Sequence, residues 1–328
     1  MSTRCPPSQR GLSLIELLIA MVLGLLLIAG VMQVFLSSKQ TYSTTSALSR
    51  TQESGRFASE FLSFDIRNTG YKGECVTPIN NLTGLTDDRF TLDMGLKAWD
   101  DSQSGLPSWF TASDRLAGTD MILVKHAVNG SGATAANTNN TATTGYSFAL
   151  TQASGIETGT ILVTADPIGC DIFQNQSAKN AQTISRPDPD LALSHNYTHD
   201  MDILAYQSAV YFIKARASGV PSLWRIRYNE GTTGMQAEEM VEGVQNMQLQ
   251  FAVGNASGAI TGDYVDAQSI TDWSAVVSVK LSLLVVSNDT NVIPQNQVIA
   301  FNGSNVTIAN RRLAPVFTST IGIRNRLP

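Results

Sequence analysis

The sequence predicts an α+β chain: one long N-terminal helix that carries a β-rich globular domain. Three observations predict it. Residues 11–38 form an apolar run interrupted by a single carboxylate, Glu16. From residue 37 to about Arg67 the chain turns polar but keeps helical spacing and contains no proline. Beyond residue 71 the texture changes to short β-rich segments separated by turn residues.

The apolar run comes first. A spanning helix needs about 20 apolar residues. Residues 12–36 supply 25 positions of which only Ser13, Glu16 and Gln33 are plainly polar. An acid inside such a segment costs about 2.5 kcal/mol or more, so Glu16 calls for a partner. The eleven residues before the run hold Arg4 and Arg10 and no acid, which keeps them on the cytoplasmic side and sends the remainder outward. A secretory signal would be cut after its apolar core, yet Ser-Ser-Lys-Gln-Thr-Tyr follows Leu36 with no small-residue site. The expected scissile point lies before the core.

Gly11 followed by Leu12, with Glu16 five positions after Gly11 and an uninterrupted apolar helix, resembles the type IV prepilin class. The resemblance implies cleavage between Gly11 and Leu12 by a prepilin peptidase. It further implies N-methylation of Leu12, residence in the inner membrane, and polymerisation of the helix into a filament core. Glu16 would then pair with the free amine of a neighbouring subunit, consistent with the need to pair charges in a dry bundle.

The helix is expected to continue through residues 37–70 as an amphipathic half. Phe57, Phe61 and Phe64 stand at i, i+4 and i+7 and are expected to lie on the domain. Gly55 and Gly70 are candidate weak points, with Asn68-Thr-Gly70 as the stop. Strands are expected at 120–128, 160–165, 209–214, 223–228, 244–253, 276–287 and 314–323. The clearest alternation puts Met247, Leu249, Phe251 and Val253 on one face. An antiparallel sheet packed on the amphipathic half completes the fold. The polar stretches 129–146 and 175–190 read as mobile surface loops. No internal repeat appears, and no linker divides residues 71–328, the expected periplasmic domain.

The C-terminal half carries a second resemblance. The segment from Met240 to Phe251, that from Trp273 to Val286, Arg311-Arg-Leu, and the closing Thr318-Ser-Thr-Ile-Gly-Ile-Arg-Asn-Arg326 are similar to the PilW-type minor pilins. Asp65-Ile-Arg-Asn-Thr-Gly-Tyr71 with Cys75 belongs to the same likeness. The J-type minor pseudopilins of type II secretion share the layout, so both machines stay open. Other minor pilins and the major pilin are the implied partners.

The chain has 22 basic and 27 acidic residues; without Arg4 and Arg10 the balance is 20 to 27. That disfavours nucleic acid, which needs clustered Lys and Arg. Of three cysteines, Cys5 leaves with the leader, and Cys75 and Cys170 are expected to pair in an oxidising compartment; two buried free thiols are the alternative.

No catalytic constellation emerges, so no enzyme activity and no cofactor are expected. Gly130-Ser-Gly-Ala-Thr-Ala135 opens no helix and reads as a loop. His195 and His199, near Asp200 and Asp202, would share a face on a helix, but the proline and aspartate upstream favour a loop. Asp263 and Asp266 lack the dense carboxylate spacing of a calcium loop. No metal is therefore expected. The readings that follow are a minor pilin that primes pilus assembly, a pseudopilin, a pilus-tip adhesin whose polar loops bind a surface, or an anchored enzyme.

Overall fold

The computed structural model describes residues 13–101, 105–129, 131–136, 147–188, 190–216, 219–229 and 237–326. Its first element is a helix, Leu14–Asn68, of 55 residues, about 82 Å long at 1.5 Å per residue. It starts on a Ser13/Glu16 capping box and ends where Gly70 takes φ +74°. The end is tied down on both sides: Gly70 N–H donates to Lys125 O at 2.8 Å. Asn325 Nδ2 donates to the carbonyls of Asn68 and Thr69 at 3.3 and 3.2 Å.

The helix buries Ala47, Thr51, Gly55, Ala58, Leu62 and Ile66. Their spacing of four, four, three, four and four draws one stripe along the helix. It is a stripe of mostly small side chains, which lets a sheet come close. The expected Phe stripe is corrected here: Phe57, Phe61 and Phe64 are 38, 42 and 59% exposed. They stand on a flank that the domain leaves open. Gly55 is no weak point either, because the ring of Phe317 occupies the space a Cβ there would need, with Cε2 at 2.1 Å from that position.

The sheet against the helix has four antiparallel strands in the order Ile260–Val265, Val244–Gly254, Val276–Val285, Val316–Gly322. Met247, Leu249 and Phe251 face the core as the alternation predicts, with Val253 packed at its margin. A larger sheet runs Asn80–Asn81, Cys170–Gln174, Ile161–Ala165, Asp202–Lys214, Met121–Val128, Leu96–Trp99. Ser222–Arg227 shares the far edge of Asp202–Lys214 and carries Glu238–Glu242. All seven predicted strands are present, and shorter ones join them.

The large sheet is buried on both faces. Ile122 and Val124 join the helix and the small sheet in one core, while Met121 and Leu123 face a second core under Phe90, Trp99 and Phe110. Two-faced burial explains why Met-Ile-Leu-Val reads as an unbroken apolar run. Residues 175–188 are not the loose loop expected. Thr183–Ser185 pairs with Ser147–Ala149, Ile184 and Asn175 are fully buried, and Asn175 Nδ2 donates to the carbonyls of Glu157 and Ser177. Much of 129–146 lies outside the described residues; of the part described, Ala135 bridges to Leu150.

Candidate assembly surface

The first functional element is what the fold leaves uncovered. From Leu14 to Leu36 every large apolar side chain is more than half exposed, on a helix long and apolar enough to cross a membrane. An all-round apolar helix is stable in lipid or among other apolar helices, not in water. Gly11 and Leu12 lie outside the described residues. Glu16 accepts the Ser13 backbone N–H at 3.0 Å, so one carboxylate oxygen serves an orphan donor of its own helix terminus. The sequence search for a partner overlooked this local one, although Ser-x-x-Glu is its signature.

The globular domain takes hold of the helix just above that segment. Val292 O accepts Gln40 Nε2 at 2.5 Å and Thr44 Oγ1 at 2.7 Å. Sequence reasoning missed this grip, because nothing in Asn291-Val-Ile marks a contact with residues some 250 positions earlier.

The open flank of the upper helix forms a groove of about 470 Å³ whose apolar wall is Phe57, Phe61 and Phe64, facing Tyr211 and Arg225. Its polar wall is tightly organised. Tyr211 OH donates to Asp65 Oδ2 at 2.5 Å, and His126 Nε2 lies 3.4 Å from Asp65 Oδ1. Burial, and then the Asp65 charge, push the Tyr211 hydroxyl well above its ordinary pKa. Burial works against the Arg225 charge, but its bonds to Glu238 (2.7 Å) and Tyr211 (3.3 Å) outweigh this and raise its pKa. The groove can hold an apolar ridge, and its fixed proton positions suit packing rather than proton transfer.

At the far end of the domain Cys75 and Cys170 are bonded, with Cα atoms 5.7 Å apart. Beside them, His195 and His199 go separate ways. His195 Nε2 pairs with Asp166 Oδ2 at 2.8 Å, whereas exposed His199 lies 3.2 Å from Asp200. Burial acts to raise the Asp166 pKa, but the His195 bond and the N–H groups of Gly169 and Ile168 outweigh it and lower it. Ser194 Oγ stands 3.0 Å from His195 Nδ1, giving a Ser, His, Asp line. The Ser194 hydroxyl donates instead to Asp171 Oδ2 at 2.7 Å, so the line clasps loops together and presents no activated nucleophile. Asp263 is exposed on its strand, and Asp266 accepts Gln250 Nε2 at 3.3 Å. Among the described residues no three His, Cys, Asp or Glu side chains gather as metal ligands.

Two family models match. Residues 6–32 match the prokaryotic N-terminal methylation motif, and residues 210–325 match the type IV pilus-assembly protein W family. No curated protein and no solved structure matches the chain. The first match holds the uncovered apolar helix; the second holds the small sheet packed on that helix and the loop that grips Gln40. With the exposed helix half and the β-rich domain, these two matches support a type IV prepilin-like protein similar to the PilW type of minor pilin in type IV pilus assembly.

Proposed function

We propose that this minor pilin primes pilus assembly from the inner membrane. In this reading a prepilin peptidase cuts between Gly11 and Leu12, and Leu12 is then N-methylated. Residues 12–36 first sit in the bilayer and later in the filament core, with residues 71–328 in the periplasm. The observation that carries the reading is the helix half with no covering of its own and one acid at its start. Removing that surface from lipid requires neighbouring helices, so other minor pilins and the major pilin are the partners. The match to the pilus-assembly W family supports the pilus rather than a type II secretion pseudopilus. The chain has an architectural role and no catalytic one.

Glu16 becomes the pairing group. Its carboxylate accepts one backbone N–H, and an acid in a dry bundle calls for a cation beside it. The amine of an adjacent subunit supplies one, and another subunit then precedes this chain toward the tip. Glu16→Ala and Glu16→Gln should both be exported, cut and anchored, yet be missing from sheared pili. Wild-type incorporation of both variants refutes the pairing role and the placement below the tip.

A further inference from the structure

We infer that the base of the globular domain is an electrostatic dock for anionic phospholipid headgroups, built on Lys39 and Arg311 and set at bilayer height by the grip on Gln40 and Thr44. The inference rests on the membrane placement of the apolar helix half.

Height comes first. The apolar stretch ends at Leu36, and Val292 meets the helix at Gln40, four residues on, or about 6 Å. The headgroup layer outside a ~30 Å hydrocarbon core is about 5–7 Å thick on each side. The gripping loop therefore lies at headgroup level. Arg311 is one hydrogen bond removed from it: Arg311 O accepts the N–H groups of Val292 and Ile293 at 3.0 and 3.2 Å. Its guanidinium donates to Asn291 Oδ1 and remains exposed.

Charge is the second argument. Residues 37–50 and 287–315, which form this base, hold four basic side chains, Lys39, Arg50, Arg311 and Arg312, against one acid, Asp289. The rest of the chain beyond residue 36 holds 16 basic and 25 acidic residues. A local excess of positive charge in an acidic protein thus falls at the end nearest the membrane. Arg50 is spent partly on Asp289, at 3.7 Å. Arg312 is spent on the carbonyls of Ser287 and Asn288. Lys39 and Arg311 remain to face outward.

The backbone supports the same placement. Asn291, Asn310 and Arg311 all have left-handed φ, at 58°, 60° and 50°, and a residue as long as arginine rarely takes that conformation. It is held there by Asn296 Oδ1, which accepts the Arg311 N–H at 2.8 Å. Tyr42, 77% exposed at the same level, is of the type that settles at the membrane interface. A basic residue near an anionic surface contributes about 1 kcal/mol, a factor of about five in the docked population.

The test uses the full chain with Cys5→Ser and a donor fluorophore on Thr290→Cys, inserted in nanodiscs with acceptor-labelled headgroups. Energy transfer should be higher in phosphatidylglycerol than in phosphatidylcholine nanodiscs. It should fall to the phosphatidylcholine value in about 0.5 M salt, where screening acts within a few ångströms. Lys39→Gln with Arg311→Asn, which suits the left-handed φ, should lower the docked population about fivefold per charge removed. Arg311→Lys should retain docking. Equal transfer in both lipids, or no change in the double variant, overturns the dock, as does loss of transfer on adding inorganic phosphate, which marks a free-anion site. Protease protection of residues 14–36 in phosphatidylcholine nanodiscs separates these outcomes from a failure of the membrane reading, in which the helix would not insert at all.

Discussion

Gly55 is where the helix and its sheet interlock, and its replacement should have a cost whose sign depends on one partner. A Cβ at position 55 would stand 2.1 to 2.5 Å from three atoms of the Phe317 ring. Those distances force the ring out of its seat. In an isolated helix Gly→Ala gains about 1 kcal/mol. Against that stands overpacking, at about 1–3 kcal/mol, and loss of part of the ~1.5–3 kcal/mol that burying a phenylalanine contributes. The net for Gly55→Ala is a destabilisation of about 1–2 kcal/mol. At roughly 2–4 °C per kcal/mol for a domain of this size, the midpoint should drop by several degrees. In a Phe317→Ala background the obstacle is gone, and Gly55→Ala should then stabilise by about 1 kcal/mol. Thermal unfolding of the four proteins in detergent, followed by circular dichroism, gives the cycle. Additive effects, or a stabilising Gly55→Ala in the parent, would refute the interlock.

The Cys75 to Cys170 bond closes a separation of 95 residues, so its reduction should remove about 4 to 5 kcal/mol in the chain-entropy model, read as a lowered denaturant midpoint. Asp120 accepts the N–H groups of Leu249 and Asp101 at 2.7 and 3.0 Å, and burial, with help from Asp101 and Asp100, pushes its pKa up to about 7. Its folded value lies above its unfolded one, so its contribution is full below about pH 4 and is lost as pH rises to 7. Asp120→Asn should flatten a slope of at most about 1.4 kcal/mol per pH unit in that window. Lys125 is pushed down to about 7 by burial, so its contribution is full above about pH 10.5 and is lost as pH falls to 7, outside that window. Phe61 is 42% exposed and stacks on Phe57, so Phe61→Ser should lower monomer stability by only about 1 kcal/mol, measured by the same unfolding assay.

The long helix was legible because its two halves each carry a strong signal, an unbroken apolar run and then proline-free polar spacing. Its buried face was not. Hydropathy weights Phe57, Phe61 and Phe64, whereas the sheet approaches along Ala47, Thr51, Gly55 and Ala58, where small size and not apolarity is the property that matters. The strands with β-branched or alternating patterns, such as Val244–Gly254 and Val276–Val285, could be read directly. Cys170–Gln174 and Leu96–Trp99 could not: Cys-Asp-Ile-Phe-Gln and Leu-Lys-Ala-Trp are short and lack a β-branched run, and they are held by pairing with Ile161–Ala165 and Met121–Val128. At the assembly surface Glu16 stood out as one acid in an apolar run. The Gln40 grip and the Asp65, Tyr211, Arg225 wall depend on side chains brought together only by the fold, and no local spacing announces them.

In the proposed function the chain is processed as a prepilin and enters the pilus through its uncovered helix. Intact mass of the protein recovered from sheared pili tests it most directly. The expected species begins at Leu12 and carries one added methyl group. A chain that begins beyond Leu36, or that stays wholly in the membrane fraction with residues 1–11 attached, rules out prepilin processing and entry into the pilus.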